Sequence, residues 1–305
     1  MRILVVRLSS MGDVIHALPA VASLKHSFPH SHVCWVIRTR WMPLLEGNAF
    51  VDEVIPFDRT LSGIVGTRRK LREQRFDLAI DFQGLIQSAL LAAASRPDRL
   101  VGFHRSQVRE KAASLFYSTS VEARAPHVVD RNLELAAAAG AVNLLRTFSL
   151  PDGFAEGTLP DGKFVLTSPL AGWGSKQWPV EFYEELAGRL DVPLVVNGPP
   201  DAAEILSKIR GAHVHLSGIA GLIHATRRAQ AVVGVDSGPL HLAAALGKPG
   251  VAIFGPTDPQ RNGPYGGTIR VLRSFGVETT YKRAVGAHDS MRAISPEDVL
   301  EALPA

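Results

Sequence analysis

The chain has 305 residues, 46% of them hydrophobic and 20% charged, a globular balance that excludes disorder or a coiled coil and leaves room for two domains. Its single cysteine, Cys34, excludes a disulfide framework or a multi-cysteine metal site and fits a reducing cytoplasm. The net charge of +4 is uneven: residues 1–150 carry 19 Lys+Arg against 13 Asp+Glu, residues 151–305 carry 14 against 16, so the first half suits an anionic partner or is simply a basic solvated surface.

Short apolar runs alternate with helical patterns. The first run, Ile3–Leu8, is too short for a signal-peptide core and predicts a buried strand. Val33–Ile37, Val54–Phe57, Leu78–Phe82 and Leu100–Phe103 predict further strands, with helices over Val14–His26 and Gly84–Ala94 among them. Such alternation means crossover units and a parallel sheet. Residues 149–163 (SLPDGFAEGTLPDGK) break the pattern with five Pro and Gly residues and predict a linker. Strands then resume at Phe164–Ser168, Leu194–Asn197, Val214–Leu216, Ala231–Val235, Val251–Phe254 and Ile269–Leu272. Two α/β domains follow, without a sequence repeat between them. No run of 18 uncharged apolar residues exists, so no membrane span is expected.

Ligands of such sheets bind beyond the carboxyl ends of strands, which directs attention to the loops. In Leu8-Ser9-Ser10-Met11-Gly12-Asp13 a strand ends and a helix begins. Asp13 either caps that helix, as Ser10 also can, or presents a carboxylate to a ligand. The loop has no G-x-G-x-x-G, so a dinucleotide site is unsupported. The loop Ser168–Pro179 (SPLAGWGSKQWP) brings glycines and Lys176 to the end of another strand, a pattern suited to an anion although it is not a P-loop. Lys176 on an ordinary exposed loop is the plainer alternative. In Asp236-Ser237-Gly238-Pro239-Leu240-His241 a helix N-terminus again follows a strand. Its free N–H groups suit a diphosphate, and Asp236 is better placed to hold a ribose hydroxyl or orient a neighbour. His241 is either part of that turn or a core histidine. No D-x-D and no His/Cys cluster at metal spacing appears, so no metal is expected. The cations Arg59, Arg68, Arg69, Lys70, Arg72 and Arg109 suit carboxylate or phosphate oxygens, or form a solvated helix face. Few aromatics interleave with them, which disfavours nucleic acid.

Several segments together resemble a known family. Arg2–Pro19 (RILVVRLSSMGDVIHALP), Asp81–Leu85 (DFQGL), Arg109–Tyr117 (REKAASLFY), Lys176–Pro179 (KQWP), Asp236–Leu242 (DSGPLHL) and Phe254–Pro259 (FGPTDP) resemble, in order and over nearly the whole chain, the ADP-heptose:lipopolysaccharide heptosyltransferases of glycosyltransferase family 9, type I. The resemblance implies a GT-B fold: two Rossmann-like parallel-sheet domains facing each other across a cleft. Residues 1–150 would bind the acceptor and 163–294 the nucleotide sugar, with a C-terminal helix in 295–305 packing back on the first domain.

The implied reaction is inverting and independent of metal or cofactor. It moves heptose from ADP-heptose to the Kdo of Kdo-lipid A, by a monomer peripheral to the cytoplasmic face of the inner membrane. Asp13 matches the general base, and Lys176 the lysine that neutralises the departing diphosphate. The donor would meet Ala171, Gly172, Lys176, Ser217, Asp236, Ser237, Gly238 and His241, with Asp201 or Glu204 as a further acidic contact. The acceptor would meet Ser10, Gly12, Arg59, Arg68, Arg69, Lys70, Arg72 and Arg109. Ala171 and Gly172 depart from the family, which usually has hydroxyl residues there. Rival readings are a GT-B transferase using another nucleotide sugar, a sugar-nucleotide epimerase and a non-catalytic nucleotide-binding module. An NAD-dependent oxidoreductase shares the fold but would need the missing glycine fingerprint.

Overall fold

The computed structural model describes residues 1–281 and 286–304. The chain divides into two compact units at Pro151/Asp152, inside the Pro/Gly-rich stretch. In the first unit the strands are β1 (Arg2–Val6), β2 (His32–Arg38), β3 (Glu53–Phe57), β4 (Leu78–Asp81), β5 (Arg99–Phe103) and β6 (Thr119–Val121). They form one parallel sheet in the order β3-β2-β1-β4-β5-β6. Five of the six were legible as apolar runs. β6 was not, because Thr119-Ser120-Val121 is short, polar and at an edge, where only one side needs covering.

The helices of this unit are α1 (Met11–Ser27), α2 (Leu61–Glu73), α3 (Ile86–Ala94) and α4 (Val128–Ala139). Right-handed crossovers determine their faces. The chain steps from β1 to β2 in one direction and through β3, β4 and β5 in the other, so α1 lies on one face and α2 and α3 on the opposite face. α1 packs with α4, and α2 with α3. α1 is buried nearly throughout, whereas α2 turns only Thr67 and Leu71 fully inward.

The second unit repeats the plan without repeating the sequence. Its strands are β7 (Val165–Ser168), β8 (Leu194–Gly198), β9 (His213–Leu216), β10 (Ala231–Val235), β11 (Gly250–Phe254) and β12 (Ile269–Arg273), all parallel in the order β12-β11-β10-β7-β8-β9. Helices α5 (Val180–Arg189), α6 (Ala203–Leu206), α7 (Ile219–Arg228), α8 (Gly238–Ala245), α9 (Pro259–Asn262), α10 (Asp289–Arg292) and α11 (Pro296–Ala302) cover it. Much of the expected linker belongs to this unit. Glu156 accepts hydrogen bonds from the Gly218 N–H (2.5 Å) and, through its carbonyl, from His215 (2.6 Å).

α11 packs on α5 and β11 of its own unit. Val299 and Ala302 sit in that unit's core with Trp178 and Ile294, and Leu300 and Leu303 pack against it. The helix is seven residues long, and this single apolar face is consumed within the second unit.

In each sheet the first strand lies beside the fourth, and the chain leaves these two in opposite directions. That reversal opens a crevice at their carboxyl ends. At the β4 end, Asp81 is fully buried and accepts hydrogen bonds from the Gln83 N–H (2.8 Å), the Gly84 N–H (3.3 Å), Ser88 Oγ (2.9 Å) and Tyr117 Oη (2.8 Å). Burial pushes its carboxyl above the ordinary range although these donors pull it back. Gly102, paired in register with Asp81, makes the reach of Tyr117 possible: a Cβ at Gly102 would stand 2.3 Å from the Tyr117 ring. Gly102→Ala is therefore expected to displace the ring and lower unfolding stability by about 2–4 kcal/mol. Tyr117→Phe, which removes only one of the four donors, should cost about 1–2 kcal/mol. Urea titration of both variants measures the difference, and equal losses would contradict the packing argument.

Candidate active site

The first unit builds its site at the end of β1. Ser10 precedes α1 and Asp13 lies in its first turn. The Ser10 N–H (2.8 Å) and hydroxyl (2.9 Å) both donate to Asp13 Oδ2, so Asp13 does cap the helix. Its other oxygen pairs with the Arg7 guanidinium at 2.5 Å. Arg7 is buried and also donates to the Phe82 carbonyl. From the same loop, Gln83 Oε1 accepts the N–H groups of Leu8 (3.0 Å) and Ser9 (3.1 Å). The β4 loop thus clamps the turn that presents Asp13.

Desolvation pushes the Asp13 carboxyl up, but Arg7 and the two Ser10 donors outweigh it and hold the group below the ordinary range. It is ionised at neutral pH while its side chain keeps 38% exposure, enough to reach a proton. Arg7 and Gln83 were missed in sequence because each reads as an ordinary strand-end residue. Gly12 is buried inside the first turn of α1, where it can offer backbone only.

The expected acceptor cations do not share one place. Arg59 follows β3, at the same edge as Asp13. It joins Arg38, which ends β2, and Arg40: burial together with the charges of Arg59 and Arg40 depresses the Arg38 guanidinium. Arg38 and Arg40 were missed, since they lie far from Arg59 in sequence. Arg109 is exposed beside the β4 loop, where the N–H of the adjoining Glu110 reaches the Gly84 carbonyl (3.4 Å).

Arg68, Arg69, Lys70 and Arg72 lie apart from these cations. They lie in the second half of α2, which runs antiparallel to the strands. Lys70 pairs with Glu53, the first residue of β3, at 2.8 Å, and Arg69 pairs with Glu73 on its own helix. These cations therefore sit toward the opposite end of the sheet from Asp13. At that end His32, Cys34 and Glu53 also converge. Lys70 and Arg2 already answer the Glu53 charge, and burial pushes the Cys34 thiol up to about 12, so the trio reads as an ion-pair cluster rather than a metal site.

The second unit builds its site at the ends of β7 and β10. Lys176 closes a short 3-10 turn, Gly174–Lys176, after β7. Asp236 follows β10, and Ser237 stands at the N-cap position of α8, whose first residue is Gly238. Lys176 Nζ donates to Asp236 Oδ2 at 2.5 Å and stands 4.3 Å from the Trp173 ring centroid. Thr257 Oγ1, from the FGPTDP segment, donates to the same oxygen at 2.7 Å, and His241 Nε2 lies 3.6 Å from Oδ1.

Burial pushes the Asp236 carboxyl up, and His241 and Lys176 overcome it, holding the group well below the ordinary range. The stabilisation from this pairing is present at neutral pH and lost as pH falls through the depressed value. Asp236 engages Lys176 directly. His241 is buried but serves this turn. Thr257 was missed because nothing in sequence links it to Asp236.

The remaining donor candidates spread along the same edge. Ala171 and Gly172 lie in the β7 loop, where Ala171 packs on the core. Ser217, beyond β9, accepts from Asn197 Nδ2 at 2.8 Å. Glu204 on α6 is highly exposed and faces Lys208, and Asp201 is exposed on the turn before it. The hydroxyls of Ser168 and Ser237 line a cavity of about 20 Å³ between β7, β10 and α8, too small for a nucleotide.

Comparison with known proteins gives the family and the fold. The model of glycosyltransferase family 9 (heptosyltransferase) matches residues 64–288. Lipopolysaccharide heptosyltransferase 1 of Escherichia coli O18:K1:H7 is 30% identical, covering 91% of this chain and 93% of its own. The enzyme of that name from Pseudomonas aeruginosa is 31% identical, covering 87% and 82%. Among solved structures, the E. coli heptosyltransferase WaaC with ADP superposes with a TM-score of 0.78 at 27% identity, covering 99% and 98%. E. coli ADP-heptose heptosyltransferase II does so with a TM-score of 0.78 at 25% identity, covering 99% and 97%.

Removing the carboxylate that faces Lys176 should be costly. Asp236→Ala leaves a largely buried ammonium without its partner, and stability is expected to fall by about 3–5 kcal/mol. Thr257→Val, which removes one neutral donor, should cost about 1 kcal/mol. Urea unfolding of the two variants checks the ranking, and the reverse order would show that Lys176 does not depend on Asp236.

Proposed function

This chain belongs to glycosyltransferase family 9, the heptosyltransferases, and from that premise we propose a specific reaction for it. It transfers a heptose from ADP-L-glycero-D-manno-heptose to the Kdo of Kdo-lipid A, with inversion, in lipopolysaccharide inner-core synthesis. The observation that carries this reading is Asp13, held ionised by Arg7 and Ser10 at the carboxyl end of β1.

A hydroxyl of Kdo attacks the anomeric carbon of the heptose, the bond from that carbon to the diphosphate oxygen breaks, and ADP leaves. Asp13 takes the hydroxyl proton. A carboxylate of depressed pKa is a weak base, which suits a transition state in which the bond to ADP is largely broken before the proton moves. Lys176 places its charge on the departing diphosphate, and the N-terminus of α8 at Ser237 and Gly238 adds free N–H groups. Asp236 keeps Lys176 extended toward that position. No step requires a metal or cofactor, because these groups supply the positive charge. Arg59, with Arg38 and Arg40, and Arg109 receive the anionic groups of the acceptor at the edge that bears Asp13. The enzyme works at the cytoplasmic face of the inner membrane, where such an acceptor resides. The type I assignment rests on the Ser-Ser-Met-Gly-Asp turn and the Ser-Leu-Phe-Tyr segment.

The direct test is incubation with ADP-heptose and Kdo-lipid A, in EDTA, with the product mass as readout. Transfer only to an acceptor that already bears a heptose would assign the chain to type II instead, and revival by Mg²⁺ would overturn the metal-free mechanism.

Asp13→Asn keeps the shape and the cap but loses the base, so kcat should fall by about two to four orders of magnitude with ADP affinity unchanged. Arg7→Met removes the charge that depresses the Asp13 carboxyl. Its pKa then rises, the ionised base is lost at higher pH on acidification, and the acid limb of the kcat/KM profile should move upward. A limb that stays in place in Arg7→Met would mean that another group is the base. Arg59→Ala is expected to raise the acceptor KM about tenfold, less so at high salt, while the donor KM stays constant. A matching rise in both constants would exclude an acceptor-specific role.

A further inference from the structure

The cations of α2 lie on a surface with a second property. The outer stripe of α2 reads Leu61, Val65, Arg68, Arg72, spaced for one helical face. All four are exposed, Leu61 at 85% and Val65 at 65%. The inner stripe, Ile64, Thr67 and Leu71, packs toward the sheet. On the neighbouring α3, Ile86 and Leu90 form a second exposed apolar pair one turn apart. The 3-10 segment Lys111–Phe116 packs against α3 and exposes Leu115 at 84%, with Phe116 beside it.

This is an asymmetry between the faces of one sheet. In the first unit, most of the large exposed apolar side chains lie on the α2–α3 face and the segment flanking it. The opposite face, built by α1 and α4, exposes none from either helix. A contiguous apolar layer facing water is unfavourable unless something covers it. The cations on this layer indicate the occupant. Arg68, Arg72 and Lys111 have no acidic partner among the described residues, and the nearby acids are engaged: Glu73 by Arg69, and Glu110 by the Ile86 N–H at 2.7 Å.

We infer that the α2–α3 face of the first unit, with Leu115 and Phe116, is a docking surface for an anionic lipid bilayer. Exposed apolar side chains enter the acyl boundary while unpaired cations meet the phosphates, the arrangement by which amphipathic surfaces bind membranes without crossing them. Among the described residues no helix is long and apolar enough to cross a bilayer. The inference goes beyond the proposed reaction and does not need it, since lipid binding is read without turnover.

The test is sedimentation of the full chain with vesicles of phosphatidylcholine alone and of equal parts phosphatidylcholine and phosphatidylglycerol. Wild-type protein should bind the anionic vesicles strongly and the neutral ones weakly. Arg68→Gln/Arg72→Gln should lose about fivefold in affinity per arginine on anionic vesicles at low salt. Leu61→Ser/Leu115→Ser, at positions too exposed to affect folding, should lose tenfold or more on both. With a soluble acceptor fragment lacking acyl chains, both variants should keep wild-type kcat and KM. Three results would each overturn the inference: no wild-type binding to anionic vesicles, unchanged binding by both double variants, or a raised KM for the soluble fragment, which would return these residues to the acceptor site. Self-association of the wild type in lipid-free buffer, abolished by the leucine substitutions, would make the layer a contact between copies and overturn it too.

Discussion

Parallel strands bring all their carboxyl ends to one edge, and a chain that leaves the first and fourth strands in opposite directions opens a crevice between them. Both units obey this constraint through the same strand order, β3-β2-β1-β4-β5-β6 and β12-β11-β10-β7-β8-β9. The chemistry follows from it. Asp13 and the DFQGL loop come from β1 and β4, and Lys176 and Asp236 from β7 and β10. Each pair is distant in sequence and is joined because the sheet order makes its strands neighbours.

The two crevices use charge differently. In the first, Arg7 is buried and Asp13 is not, so the pair holds a carboxylate ionised and within reach of a proton. The β4 loop stiffens that arrangement through Gln83 and the Phe82 carbonyl, and the loop is itself anchored by the four donors on Asp81. In the second, the acid is the buried partner and the lysine is the group with more freedom. Asp236 spends its oxygens on Lys176, Thr257 and His241, which keeps a cation at a helix N-terminus ready for an anion. One unit thus presents an ionised carboxylate at a strand end and the other a cation beside a helix N-terminus.

The distribution of arginine also divides by physical role. At the strand carboxyl ends, burial together with the charges of Arg59 and Arg40 depresses the Arg38 guanidinium. The arginines on α2 stand apart, either paired with acids on the surface or free beside exposed apolar side chains. A basic half-chain is therefore two surfaces, which net charge alone cannot separate.

The strands were legible because buried parallel strands are near-continuous apolar runs. The loops that carry Asp13, Lys176 and Asp236 were legible because each such run ends in small and polar residues before a helix. The resemblance to the heptosyltransferases rests on those same loops. β6 escaped because Thr119-Ser120-Val121, a three-residue edge strand with a single apolar side chain, carries no such signal. Sequence also left Asp13 poised between helix cap and base. Only the tertiary structure, by bringing Arg7 and the β4 loop against it, showed a cap whose second oxygen is paired with a buried guanidinium. The same holds for Arg59 and Lys70: eleven residues apart on one basic stretch, they are carried to opposite ends of a sheet because a crossover helix runs back along its strands. Local pattern determines which residues are buried or charged; long-range strand pairing decides which of them meet.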